Sequence, residues 1–461
     1  MSKQTTLLEL AAAHRAGSIS PAQTIKNCYA RIRALADPGI FISLRDEADV
    51  VSEAEALSAE RVRGPLAGVP VAVKDNVDVA GLPTTAACPA FAYQPQADAT
   101  VVARLKVAGA IVIGKTNLDQ FATGLVGIRT PYPVPRNALR ADLIPGGSSA
   151  GSAVAVATGI VPLALGTDTA GSGRVPAMLN NIVGLKPSLG LVSTNGVVPA
   201  CRTLDCVSIF ALSVDDARAA LAVLAGYDAA DVYSRDRKIG TLGSAPGDCT
   251  LGVPRSDQRQ FFSDARAASD YDAALARLRS LGHSLIEIDM TPFYETARLL
   301  YEGPWVAERY LAAKRVIESD PGALHPVTRE IIGAGAQWRA TDAFEGFYRL
   351  ETLRRAAAEI FTRIDALALP TAPTVYTVEQ VNADPIRLNS NLGIYTNFAN
   401  LLDLCCVAVP AALHADGTPF SISIIAPGGD DALAATIARD FHADTALPAG
   451  APVLRAALPA N

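Results

Sequence analysis

Apolar side chains recur at helical spacing near the N-terminus. Leu7, Leu8 and Leu10 begin an amphipathic pattern that Gly17 ends. Ser20-Pro21-Ala22-Gln23 predicts a second helix start. Ser20 can cap, Pro21 suits the first helical position, and Gln23 stands where a capping box places it. Ile25, Cys28, Tyr29 and Ile32 continue an apolar face. From Pro65 the pattern changes. Val69–Val73 is short, apolar and β-branched, a strand that runs directly into Lys74-Asp75-Asn76. Val101–Val107 predicts a helix and Ala110–Ile113 a buried strand. Strand, helix and strand in succession predict α/β layers. Ser149–Thr158 reads as a helix with Gly159 as its C-terminal stop. Leu251–Val253, Ser284–Ile288, Ala366–Leu369, Cys406–Val409 and Phe420–Ile425 read as further strands, with helical patterns between them.

Composition narrows the class. A chain of 461 residues suggests two to four domains, and one large α/β unit also fits. With 50% hydrophobic and 19% charged residues, the chain has ample core material and is not a disordered polymer. The 40 Lys+Arg against 46 Asp+Glu give a net charge of −6, with no long basic run, which argues against a nucleic-acid partner. Seven cysteines without a C-x-x-C pair fit reduced cytosolic thiols, with Cys405 and Cys406 read as core residues. The five histidines show no metal-ligand spacing, so neither a metal nor a cofactor is expected. The N-terminus is too polar for a signal peptide. The longest apolar stretch, Ala153–Leu165, is interrupted by Thr158, Gly159 and Pro162, short of a membrane span. These features predict a soluble cytoplasmic protein without a membrane partner. Residues 1–445 read as the main domain, with a helix-rich region at about 215–360 suited to substrate specificity. Residues 446–461 read as an Ala/Pro-rich tail or linker.

Three segments carry candidate chemistry. Gly146-Gly147-Ser148-Ser149-Ala150-Gly151-Ser152 lets a backbone approach a ligand closely and sets serines at a helix start. A packing turn with capping serines explains the same residues equally well. Gly166–Arg174 is a second small-residue turn with Ser172 in its middle, and such a run can aim several N–H groups at one point. Lys74 ends an apolar strand, where desolvation would lower its pKa and make it a base. Taken alone, a lysine snorkelling to solvent is the simpler account. Gly147–Gly151 also fits G-x-S-x-G, which would make Ser149 the nucleophile and require a histidine from His283, His325, His414 or His442.

Together these segments resemble the amidase signature family. Pro65–Asp75 (PLAGVPVAVKD), Gly114–Gly124 (GKTNLDQFATG), Gly146–Ser152 (GGSSAGS), Gly166–Pro176 (GTDTAGSGRVP) and Val183–Gly190 (VGLKPSLG) match its pattern. The resemblance implies an α/β fold with a large mixed β-sheet covered by helices on both faces. It also implies a Ser–Ser–Lys triad: Lys74 as base, Ser148 as bridging serine after a cis Gly147–Ser148 peptide, and Ser172 as nucleophile. The oxyanion would face the backbone N–H groups of Thr169, Ala170, Gly171 and Ser172. The G-x-S-x-G reading leaves Lys74 and the Ser172 turn without a role.

Within the family, Ala170-Gly171-Ser172-Gly173-Arg174 and Val77–Ala87 (VDVAGLPTTAA) resemble allophanate hydrolases. So does Leu299–Tyr310 (LLYEGPWVAERY), whose Tyr301 and Arg309 would hold a substrate carboxylate, with Gly124 adding a backbone contact. Arg suits that task because its planar fork matches a carboxylate. Eight residues apart, the two would share a face of one helix unless Gly303-Pro304 distorts it. Without the resemblance, Arg309 would pair with Glu302 or Glu308 on a surface helix while Tyr301 packs in the core. The implied substrate is allophanate (urea-1-carboxylate), a small anionic amide, and the products are ammonia and N-carboxycarbamate. A homodimer is a family-level expectation. The further C-terminal domain of such enzymes, implicated in decarboxylation, is not recognisable here, which leaves decarboxylation either to a separate decarboxylating domain or partner or to spontaneous loss of carbon dioxide. Two alternatives remain: a family amidase for biuret-like or aliphatic amides, and the amidase subunit of an amidotransferase complex.

Overall fold

Eleven strands form one mixed sheet in the computed structural model, which describes residues 4–56, 64–241 and 248–451. They are β1 (Phe41–Leu44), β2 (Pro70–Lys74), β3 (Ile111–Thr116), β4 (Leu163–Asp168), β5 (Val183–Lys186) and β6 (Cys206–Ala211). The remainder are β7 (Thr250–Pro254), β8 (Ser284–Ile288), β9 (Ala366–Pro370), β10 (Leu404–Leu413) and β11 (Pro419–Pro427). Their order across the sheet is β1-β3-β2-β4-β6-β5-β10-β11-β9-β7-β8. β3, β2 and β4 run parallel, as do β9, β7 and β8; the other neighbours are antiparallel.

Both faces of the sheet are covered. Val71 and Val73 of β2, Val112 of β3, and Leu163 and Leu165 of β4 pack on one side, against helices Leu7–Ala16, Thr100–Val107 and Val214–Leu224. The alternate residues Ala72, Ile111, Ile113 and Ala164 face the other side, against helices Pro21–Leu35, Glu47–Glu55 and Ala150–Ala157. This two-sided burial explains why the strands read as continuous apolar runs rather than alternating ones.

The expected strands are present, and β8 has the expected bounds. Four more, β1, β4, β5 and β6, are not apparent in the sequence pattern. They are short, and their strand state depends on ladders with partners far away in the chain. Gly166-Thr167-Asp168, read as the start of a turn, instead completes β4. Capping also differs in detail. Ser20 accepts from the Gln23 N–H at 3.1 Å, but the Gln23 side chain donates to Asn27 rather than closing a box. Complete capping boxes lie elsewhere, at Thr6 and Glu9 and at Thr377 and Gln380. The region at about 215–360 contributes β7 and β8 to the sheet as well as helices. Residues 446–451 lie against the body: Gly450 N donates to Asn181 O at 2.7 Å, Ala451 N donates to Ala157 O at 3.0 Å, and Ala451 is buried.

Candidate active site

The parallel strands β2 and β4 are neighbours, so their C-terminal ends lie side by side with that of β3. Ligand sites in α/β sheets form at such strand ends. Lys74 is the last residue of β2 and is fully buried. Its Nζ donates to Ser148 Oγ at 2.7 Å and to Thr167 Oγ1 at 2.8 Å. No carboxylate lies within ion-pair distance of it among the described residues. Burial therefore dominates and brings the Lys74 pKa down to about 7, against the opposing pull of Asp119, Asp205 and Asp168. The lysine is buried and does not snorkel.

Behind it, Asp75 and Lys115 form a fully buried ion pair at 3.1 Å, tying the end of β2 to β3. Ser148 follows a cis Gly147–Ser148 peptide. Its carbonyl accepts from Asp119 N at 3.0 Å. The Asp119 carboxylate in turn accepts from the N–H groups of Val126, Gly127 and Arg129, holding the loop around Gly124 beside the serine.

β4 leads directly into the Ser172 turn. The Asp168 carboxylate accepts from Gly171 N at 3.0 Å and Gly173 N at 2.9 Å. It also receives Arg174 Nε and Nη2, each at 2.9 Å, in a fully buried fork. Burial alone would raise the Asp168 carboxyl, but the guanidinium holds it below its ordinary value. Gly171 has φ +134°, and a Cβ there would meet Thr396 Oγ1 at 2.4 Å, so only glycine fits. Ala170 keeps a negative φ.

The four expected oxyanion donors differ in their hydrogen bonding. The Gly171 N–H donates to Asp168, while the N–H groups of Thr169, Ala170 and Ser172 make no hydrogen bond among the described residues. The Thr169 hydroxyl donates to Asp205, whose carboxyl burial pushes up to about 6.

Lys74 and Ser148 are in contact, and Ser172 sits nearly buried at the adjoining turn. The Ser172 hydroxyl makes no hydrogen bond among the described residues, so the link from Ser148 to Ser172 is not formed in this state. Ser149 is placed elsewhere. Its Oγ donates to Thr167 O at 3.2 Å and accepts from Thr167 N at 3.4 Å. None of the four candidate histidines bonds to it, and His414 pairs with Asp270. The G-x-S-x-G reading has no constellation to support it.

A second group of buried polar side chains adjoins the first. The expected single helix is two: Thr291–Glu302 and Trp305–Ser319, broken at Gly303-Pro304. The break brings Tyr301 and Arg309 together, with the guanidinium carbon 4.8 Å from the ring centroid. Arg309 is 1% exposed and pairs with no carboxylate among the described residues, while Glu308 is engaged by Thr203. Its Nη1 donates to Thr123 Oγ1 at 3.2 Å. Arg309 Nε, Arg309 Nη2 and Tyr301 Oη are buried without partners. Gly124 lies in the same loop, where a Cβ would stand 2.6 Å from Asp119 Oδ2 and 3.2 Å from Arg129 Nη1.

A sequence model of the Amidase family matches residues 23–434. The chain belongs to the amidase family. Its α/β architecture, with an eleven-stranded mixed sheet, is the amidase-signature fold. The solved allophanate hydrolase of Kluyveromyces lactis is similar over 95% of this chain and 72% of that one, at 41% identity and a TM-score of 0.89. Urea amidolyase of Lachancea kluyveri is 47% identical over 394 residues, which is 84% of this chain but only 21% of that protein. This chain thus spans about a fifth of the urea amidolyase it matches. A glutamyl-tRNA(Gln) amidotransferase subunit from Symbiobacterium thermophilum is 36% identical over 451 residues, 89% of this chain and 90% of the relative.

In this amidase-family chain, sequence reasoning missed Asp119, Thr167, Asp168, Arg174 and Asp205, which hold the site in place. All but Asp205 lie inside the segments quoted for the family resemblance. What it lacked was their partners, which come from other segments. It also missed Arg129, a buried arginine in the loop after Gly124, whose only signal is a cation set among Gly and apolar residues. No group of His, Cys, Asp or Glu suited to holding a metal occurs among the described residues. Nor does any described helix have the length and apolarity to cross a membrane.

Proposed function

We propose that this chain is an amidohydrolase that cleaves the terminal amide of allophanate. The observation that carries this reading is the pocket of Tyr301 and Arg309. A buried guanidinium with two unpartnered nitrogens, beside an unpartnered phenol, lacks an anion. Burying such donors unpaired is unfavourable, and a small carboxylate satisfies them. An amide substrate carrying a carboxylate then spans from this pocket to Ser172.

The chemistry follows from the residues. Neutral Lys74 takes the proton of Ser148, which takes that of Ser172. Catalytic hydrogen bonds are often long without substrate and tighten in its presence. Ser172 Oγ attacks the amide carbonyl, and the oxyanion meets the N–H groups of Thr169, Ala170 and Ser172. The proton passes to the leaving nitrogen, the C–N bond breaks and ammonia departs. Water then hydrolyses the acyl-enzyme to N-carboxycarbamate. Loss of carbon dioxide from that product is spontaneous or belongs to a separate decarboxylating domain or partner. A cytoplasmic homodimer is the setting this reading implies.

The near full-length likeness to an amidotransferase component favours a second reading, an ammonia-supplying subunit that uses glutamine. One assay separates them: ammonia release by the isolated chain from allophanate, biuret and glutamine, beside Ser172→Ala, Ser149→Ala and Arg309→Ala. Activity on allophanate should vanish with Ser172→Ala and survive Ser149→Ala. Arg309→Ala should lose roughly 10–100-fold in kcat/KM for the anion, the worth of a charge-assisted hydrogen bond. Release from glutamine alone would overturn the allophanate reading. Dependence on Ser149 would overturn the triad.

A further inference from the structure

Two buried guanidiniums, not one, meet at Thr123 near Tyr301. Arg129 and Arg309 are each 1% exposed. They approach Thr123 from different atoms: Arg129 Nη1 donates to the carbonyl oxygen at 3.0 Å, and Arg309 Nη1 to the hydroxyl at 3.2 Å. Arg129 Nη2 donates to Pro385 O at 2.7 Å, and its Nε has no partner. No carboxylate lies within ion-pair distance of either arginine among the described residues. The Asp119 carboxylate, which Arg129 feels electrostatically, is occupied by three backbone N–H groups. Burial is the first influence on the Arg129 guanidinium and lowers its pKa; Tyr301 and Arg309 are close enough to act on it as well. Asp119 near Arg129, and Asp205 and Glu308 near Arg309, act on the guanidiniums only at a distance, so a bound anion could contact both directly.

We propose that Arg129 is a specificity-determining residue of this pocket, supplying a second positive charge that selects an anionic amide over its neutral isostere. The inference rests on the carboxylate-pocket reading above. Arg129 also ties the loop to Thr123 and Pro385, so its charge must be separated from that structural role. A loop defect slows anionic and neutral substrates alike, whereas a lost charge slows only the anion.

Allophanate and biuret provide the comparison, since biuret replaces the carboxylate with a neutral amide. Initial rates of ammonia release give kcat/KM for each with the full chain, in wild type, Arg129→Gln, Arg129→Met, Arg129→Lys and Arg309→Gln. In the neutral Arg129 variants the allophanate-to-biuret ratio should fall about tenfold, mainly through KM for allophanate. Arg129→Lys should keep most of the ratio. A cooperative thermal transition identifies which neutral variant is folded. An unchanged ratio in a folded neutral variant, or equal losses on both substrates, would overturn the proposal. So would failure of both neutral variants to fold while Arg129→Lys folds, because the cation would then be holding the loop. No preference for allophanate in wild type would sink the pocket reading and this inference together. A preference lost in Arg309→Gln but kept in the neutral Arg129 variants would sink this inference alone.

Discussion

Lys74 shows how much one residue owes to its surroundings. Its side chain is an ordinary lysine, yet enclosure at the end of β2 lowers its pKa to about 7. Activity that requires the neutral amine should therefore rise with pH through about 7 and level off above it, as a kcat/KM profile would show. The stability consequence has a definite sign. An unfolded lysine titrates near 10.4, so between about 7 and 10.4 the unfolded chain holds a proton that the folded chain lacks. Stability should rise with pH across that window, and the burden of a buried ammonium is fully felt below it. Lys74→Met, about the same size and never charged, should flatten this slope and unfold at higher urea near pH 7. Parallel slopes for the two proteins would refute the buried-base account. A lysine at the end of an apolar strand was legible in the sequence. Its contact with Ser148 and Thr167 was not, because both hydroxyls come from segments 74 and 93 residues away.

At the scale of elements, the Ser172 turn is a strand end converted into a donor array. Asp168, the last residue of β4, gathers the N–H groups of Gly171 and Gly173 and the Arg174 fork. That pairing holds the turn closed on the end of β4. Asp168→Asn leaves Arg174 buried without its counter-charge, which should cost about 3–5 kcal/mol. Urea denaturation would measure the loss, and ammonia release should fall with it as the donors lose alignment. A variant with wild-type stability would remove the pair from this role. The helix break at Gly303-Pro304 acts in a comparable way on the second pocket. One straight helix would carry Tyr301 and Arg309 along its length, whereas two short ones fold the arginine back over the ring.

For the molecule as a whole, the sheet order decides which loops meet. β2 lies between β3 and β4, and this places the Lys74 end, the 117–129 loop and the Ser172 turn around one point. The segment 446–451 reinforces this body from outside. Asn181 Nδ2 donates to Pro448 O at 2.8 Å and Gly450 O at 3.1 Å, and the segment's own N–H groups reach Asn181 and Ala157. Ala157 closes the helix that follows Ser148 and Ser149, and Asn181 follows the helix beyond the Ser172 turn. Removing residues from 446 onward should cost about 2–4 kcal/mol, the net worth of these four bonds. Chemical denaturation of the shortened chain would test this, and unaltered stability would show the contacts to be idle.

The sequence by itself determined the family motifs and most of the strands, and it singled out Lys74, Ser148, Ser172, Tyr301 and Arg309 as candidates. These features are local: an apolar run, a small-residue turn and a motif are each contained in a few consecutive residues. Tertiary structure alone decided the strand state of β4, β5 and β6, which rests on ladders with distant partners. It also decided that the Gly171 N–H donates to Asp168, and that Ser149 turns toward β4. It also brought Arg129 and Arg309 to opposite polar groups of Thr123. Burial, hydrogen-bond commitment and electrostatic neighbourhood are properties of packed surfaces, and those surfaces exist only once remote segments have come together.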